Sequence, residues 1–177
     1  MEFVFDLDNT LIYTDEANNV SYREAVRCIT GIEVQSDYDG RITRENLYSL
    51  IPQLSVKQFA EITKEKERIY SIYLNKTHAN KLLIKLLSII SKSNLKPILL
   101  TNSRRNRAEN LLKYHGLYNL FHQRYYIEDY PDCNKYQYLI NSLKIECQNV
   151  VLFENEQESI RDAIQYNINE NNILSIK

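Results

Sequence analysis

The stretch Phe3-Val4-Phe5-Asp6-Leu7-Asp8-Asn9-Thr10-Leu11 decides the fold. Its first three residues are continuously apolar and favour β structure, which is how a strand covered on both faces reads. The run then delivers two carboxylates, Asp6 and Asp8, where the buried strand emerges into a loop. Open α/β sheets carry their ligands at the carboxyl ends of such strands. Neighbouring carboxylates resist ionising together unless a proton or a cation lies between them. A divalent metal and a phosphorylated substrate meet that requirement most simply.

Working outward, residues 2–8 read as the first strand, and the pattern from about residue 15 to 92 is helical. Tyr22 to Thr30 carries Ala25, Val26 and Ile29 on one face, and Gly31 can end it in the left-handed conformation. Asp37-Tyr38-Asp39-Gly40 is a turn cluster. Thr43 can cap a short helix with Leu47, Leu50 and Ile51, which stops before Pro52. Ser55-Val56-Lys57-Gln58 fits a capping box, opening a helix with Phe59, Ile62, Ile69, Ile72 and Tyr73 inward. A further helix has Leu82, Leu83, Leu86, Leu87, Ile89 and Ile90 at helical spacing.

After residue 92 strands and helices alternate. Strands are expected over Pro97 to Leu100, Arg124 to Ile127, Asn149 to Phe153 and Ile173 to Ile176. Helices are expected over Arg104 to His115, stopped by Gly116, over Tyr136 to Leu143, and over Glu156 to Tyr166, stopped by Asn167. Such alternation implies right-handed crossovers and a parallel sheet. The expected architecture is a three-layer, Rossmann-like α/β core, residues 1–14 and 93–177, with residues 15–92 inserted after the first strand as a helical cap.

The bulk properties narrow the function. A net charge of −1 argues against a general nucleic-acid or anionic-membrane surface. No apolar run reaches the about 18 residues of a membrane span. Met1-Glu2 leads straight into the strand, so no signal peptide is expected. Cys28, Cys133 and Cys147 are odd in number and widely spaced, as reduced thiols in a cytoplasmic protein would be. His78, His115 and His122 show no ligand spacing. Arg104, Arg105 and Arg107 crowd a helix N-terminus, where the dipole disfavours cations; they form either a solvated basic face or an anion site.

Four strand ends carry the polar residues. They are Asp6-Leu7-Asp8-Asn9-Thr10-Leu11, then Leu99-Leu100-Thr101-Asn102-Ser103, then Asp132-Cys133-Asn134-Lys135, then Phe153-Glu154-Asn155-Glu156. In order and spacing this set resembles the haloacid dehalogenase superfamily over nearly the whole chain. The insert between the first two motifs looks like that family's small helical cap.

The resemblance implies a magnesium-dependent phosphatase acting on a small phosphorylated metabolite, a nucleotide being one version. Asp6 matches the nucleophile that forms an aspartyl-phosphate, and Asp8 the general acid and base. Thr101 and Lys135 match the groups that hold the phosphoryl oxygens, with Asn102 beside them at the helix start. Asp39-Gly40-Arg41-Ile42-Thr43 resembles a Gly-Arg turn of capped phosphatases, so Arg41 is expected to pair with a second anionic group of the substrate. The metal would be held by Asp6, the Asp8 main-chain carbonyl, and Glu154 or Asn155, with Glu158 as a fallback. Here the chain departs from the family, which has paired Asp or Glu-Asp where this sequence has Glu154-Asn155-Glu156. Asn155 offers an amide oxygen but no charge, so weaker magnesium binding is expected. Asp8 favours phosphoryl transfer over attack on carbon. A phosphomutase, or a phospho-ligand-binding protein without turnover, fits the same scaffold.

Overall fold

The computed structural model describes residues 1–34 and 40–176. The expected turn at Asp37-Tyr38-Asp39 lies outside the described residues. The chain runs β1 (Glu2–Phe5), β2 (Ile12–Tyr13), α1 (Asp15–Thr30), α2 (Leu47–Leu50), α3 (Val56–Ile69), β3 (His78–Ala79) and α4 (Lys81–Lys92). It continues through β4 (Ile98–Thr101), α5 (Arg105–Tyr114), β5 (Gln123–Tyr126), α6 (Lys135–Gln137), β6 (Val150–Glu154), α7 (Gln157–Gln165) and β7 (Ile173–Ser175). A π-helical turn, Tyr138–Ser142, prolongs α6 where a plain helix was expected. These elements form two compact units, Met1–Tyr13 with Ala79–Lys177, and Thr14–His78.

The first unit is built on a five-stranded sheet of order β5-β4-β1-β6-β7, parallel throughout. Side chains alternate across it with the period of two that a pleated strand imposes. Val4, Ile98, Leu100, Val150 and Leu152 share one buried cluster with Tyr136, Leu139 and Ala163 from α6, its π-helical extension and α7. Their neighbours Phe5, Leu99 and Phe153 are equally buried. Phe5 stacks on Phe153 at 4.4 Å and meets Phe121 edge-on at 6.1 Å. Both faces of the central strands are therefore covered, as the unbroken apolar runs require. Cutting Leu152 back to Ala would cost about 2–5 kcal/mol at such a site.

The helix Lys81–Lys92 was expected in the insert, but it belongs to the first unit. Asn80 fixes its start: its side chain accepts from Leu83 N, and its own N–H donates to Leu11 O at 2.9 Å. Only one of the two apolar stripes is used. Leu83, Leu87 and Ile90 are buried, whereas Leu82 and Ile89 are exposed.

The second unit packs Tyr22, Ala25 and Val26 of α1 against Ile42, Leu47, Ile51, Leu54, Ile62 and Ile69. Helix α1 begins two turns earlier than its apolar pattern suggested, with Asp15 and Glu16 in its first turn favouring the dipole. Gly31 ends it at φ 71°, in the left-handed region that favours glycine. The capping box is present, Ser55 accepting from Gln58 N at 3.2 Å and Gln58 Oε1 accepting from Ser55 N at 3.1 Å. Ile72, expected inward, is 67% exposed. The chain tightens into a 3₁₀ helix over Tyr70–Lys76, and the change from 3.6 to 3.0 residues per turn carries Ile72 out of phase.

Candidate active site

The parallel sheet brings the ends of β1, β4 and β6 to one edge of the first unit. Strand β1 stops at Phe5, so Asp6 is the first residue beyond it; its N–H still bonds Phe153 O at 3.0 Å. The chain then folds sharply. Leu7 O accepts from Thr10, Leu11 and Ile12, and Asn9 takes φ 58°, a conformation Asn tolerates. That turn is why Asp6, Asp8 and Thr10 return to one place.

At the centre is a buried ion cluster. Lys135 Nζ lies 3.1 Å from Asp6 Oδ1 and 2.7 Å from Glu154 Oε2. Glu154 Oε2 also accepts from Tyr136 Oη at 2.7 Å, while Oε1 accepts the backbone N–H groups of Asn155 at 3.0 Å and Glu156 at 3.1 Å. These four bonds fill the lone pairs of a carboxylate, so Glu154 is committed to the protein. Lys135 reaches the cluster from the start of α6. Asn134 caps that helix, accepting from Tyr136 N at 2.8 Å and donating to Asp162 at 2.6 Å.

Electrostatics follow from this packing. Burial, then Glu154 and Asp8, push the Asp6 carboxyl from 3.8 up to about 7, against the opposing pull of Lys135. Burial alone would lower Lys135, but Asp6, Tyr136 and Glu154 outweigh it and hold its pKa well above the ordinary lysine range. Desolvation, and then Glu154 as hydrogen-bond acceptor, raise Tyr136. Asp6 is thus a carboxyl in surplus negative charge, which a cation would offset.

Thr101 ends β4, is 1% exposed, and its Oγ1 accepts from Ser103 N at 3.1 Å. Tyr130 Oη donates to Thr101 O at 2.5 Å and lies 3.3 Å from Asn102 Oδ1, tying down the loop. Asp8 is held by Ser103 Oγ and by Arg107 Nη2, the latter at 3.2 Å. Thr10 Oγ1 lies 2.9 Å from Asn155 Oδ1 and 3.3 Å from Asp6 Oδ2. The hydroxyl proton serves one acceptor at a time. With the Asn155 amide turned over, Asn155 donates to Thr10, Thr10 donates to Asp6, and the amide oxygen becomes available.

Lys135 therefore touches both Asp6 and Glu154; Asp6 and Asn155 share Thr10; Asp8 joins Ser103 and Arg107. Glu158 is exposed in the first turn of α7. Arg41 lies in the second unit, where it pairs with Asp15 and reaches Thr14 Oγ1 at 3.3 Å. Among the described residues, no group of three or more His, Cys, Asp or Glu side chains could hold a metal. The candidate donors are all hard oxygens: Asp6 Oδ2, the Asp8 carbonyl and Asn155 Oδ1. With waters these suit magnesium, which commonly takes one or two protein carboxylates.

The sequence missed Tyr136 and Ser103, and left Arg107 inside an unassigned basic cluster. Nothing in spacing announces Tyr136, whose role comes from lying beside Glu154 in space. Arg107 carried a signal, a cation at a helix start where the dipole opposes it.

The profile of the haloacid dehalogenase-like hydrolases matches residues 3–172, so the chain belongs to that family of enzymes. No curated protein sequence matches it. Solved structures share the fold. A Thermotoga maritima protein provisionally assigned as a beta-phosphoglucomutase superposes with TM-score 0.73 at 20% identity, over 98% of this chain and 84% of its own. A haloacid dehalogenase-like hydrolase from Streptococcus pneumoniae gives TM-score 0.76 at 16% identity, over 98% and 83%. A Haemophilus somnus protein, assigned by prediction as a phosphoglycolate phosphatase, gives TM-score 0.76 at 15% identity, over 93% and 81%.

The raised Asp6 pKa has a signed consequence for stability. The folded chain holds the Asp6 proton more tightly than the unfolded one, so this group favours folding below about pH 4. Its contribution falls as pH rises towards 7. Asp6→Asn removes the charge, so in metal-free buffer it should raise Tm relative to wild type by more at pH 8 than at pH 4. Thermal melts at the two pH values check this; equal Tm differences would mean Asp6 carries no such strain.

Proposed function

We propose that this hydrolase is a magnesium-dependent phosphatase that cleaves a small phosphate monoester through an aspartyl-phosphate on Asp6. The observation that supports it best is the carboxylate of Asp6 lying at the sheet edge, 3.1 Å from a buried lysine. In this reading an Asp6 oxygen attacks phosphorus and the ester P–O bond breaks. Asp8 gives its proton to the departing alkoxide. Asp8 then takes a proton from water, the resulting hydroxide attacks phosphorus, and phosphate leaves with Asp6 restored. Lys135 and Thr101 hold the phosphoryl oxygens, and Asn102 offers its amide at the loop. Charge supplied by Lys135 matters because a transferring phosphoryl group spreads negative charge over its oxygens.

Magnesium, bound by Asp6, the Asp8 carbonyl, Asn155 and waters, would supply further positive charge for the phosphoryl oxygens. Asn155 takes this role in preference to Glu154, whose oxygens serve Lys135, Tyr136 and two backbone N–H groups. Arg41, paired with Asp15 in the second unit, is the candidate for a second anionic group on the substrate. A small phosphorylated metabolite is the proposed partner. The names carried by the structural neighbours, a phosphoglycolate phosphatase and a beta-phosphoglucomutase, agree with that class. The cysteines are free, which supports a reducing, cytoplasmic setting.

Phosphate release from p-nitrophenyl phosphate and a panel of nucleotides, sugar phosphates and phosphoglycolate tests the reading. Turnover should need magnesium, stop with EDTA, and fall by at least about a thousandfold in Asp6→Asn. Absence of turnover by folded protein at high magnesium would reject it. Separately, Asn155→Asp should tighten magnesium by about an order of magnitude in calorimetric titration, because it restores a ligand charge. Unchanged affinity would place the metal away from Asn155.

A further inference from the structure

The basic cluster at the start of α5 is not one surface patch. Arg105 is spent on structure: its guanidinium pairs with Asp129 at 2.6 Å and lies over the Tyr126 ring at 4.4 Å, and its N–H bonds Glu128. Arg107 turns the other way. Its side chain is 12% exposed, and Nη2 donates to Asp8 Oδ2 at 3.2 Å and to Ser103 Oγ. Ser103 Oγ donates in turn to the same Asp8 oxygen, and Ser103 itself is 2% exposed. The three side chains thus close a triangle on Asp8 Oδ2.

We infer that Arg107, with Ser103 as its bridge, is a positioning residue that sets the orientation of the acid/base Asp8. This rests on the phosphatase reading above. The torsion that turns an aspartate carboxyl is soft and has no sharp preferred value, so an unsupported Asp8 would sample many orientations. Proton transfer to a leaving oxygen tolerates few of them, since the donor must stand within hydrogen-bond reach. Two donors on one oxygen, one from the β4 loop and one from α5, fix that rotation from two directions. The placement also answers the helix-dipole mismatch: Asp8 offsets a cation in the first turn of α5. Arg107 need not touch the substrate to matter. A group displaced by about 1 Å can cost about a hundredfold in rate.

The test exploits leaving-group basicity. In p-nitrophenyl phosphate the leaving phenolate needs little help from an acid; in benzyl phosphate, of similar size, the alkoxide needs a proton. The comparison uses kcat/KM, which ends at departure of the alcohol and so excludes the later water step. Arg107→Gln should lower kcat/KM for benzyl phosphate by about tenfold or more beyond any loss on p-nitrophenyl phosphate. Arg107→Lys should recover part of that selectivity, and Ser103→Ala should shift it in the same direction. Equal losses on both esters, or none, would overturn the inference. Should Arg107→Gln fail to fold, Arg107→Lys and Ser103→Ala decide by the same ratio. No hydrolysis of either ester by the wild type would instead reject the phosphatase reading, and the inference with it.

Discussion

The contact of Lys135 with Asp6 and Glu154 is the constraint on which the rest of the first unit depends. Each of the three is at most 7% exposed, and charges in such a place persist only when paired and hydrogen-bonded. Lys135 comes from α6, Asp6 from the end of β1, and Glu154 from the end of β6. Their meeting therefore requires parallel β1 and β6 in register, with α6 crossing at the same edge. The register is the observed one, Phe5 opposite Phe153, which leaves Asp6 and Glu154 as the next residues out. Removing Lys135, the cation both acids share, would cost about 3–5 kcal/mol, because buried carboxylate charge is then left without its partner. In the proposed mechanism that cost is tolerable, because the cluster places the carboxylate nucleophile beside a cation and holds both still.

The two acids of the cluster have separate duties despite lying on the same lysine. Glu154 is saturated by donors, two of them backbone N–H groups, and behaves as a fixed counter-ion. Asp6 is less well compensated: burial first, and then the charges of Glu154 and Asp8, raise its pKa to about 7. In the proposed mechanism that difference matches the roles: the satisfied carboxylate orients, and the less compensated one reacts. Asn155, which shares Thr10 with Asp6, is uncharged and so adds no further negative charge around Asp6.

The sheet was legible in the sequence for a simple reason. Val4, Leu100 and Leu152 lie in strands buried on both faces, so apolar runs, Gly31 and Gly116 at helix ends, and the polar residues after each strand all carry local signals. The edges of the insert were less legible. Lys81–Lys92 is apolar on two stripes, and sequence cannot say which stripe is used or which unit it serves; Asn80 bonding to Leu11 decides that. Ile72 was misplaced because a change of helical period has no signature in composition. The site divides the same way. Asp6, Asp8, Thr101 and Lys135 stand out because ordered motifs mark strand ends. Tyr136, Ser103 and Arg107 act through neighbours more than 15 residues away in sequence, and only the fold brings them there.

The most direct test of this account is to trap the bond it requires. Protein mixed with p-nitrophenyl phosphate and magnesium, quenched, and reduced with borohydride should carry homoserine in place of Asp6, read by peptide mass spectrometry, and none in Asp6→Asn. Steady turnover with no modification at residue 6, or with the label on another acid, would contradict the assignment of Asp6 as nucleophile and the reading of the lysine-centred cluster that rests on it.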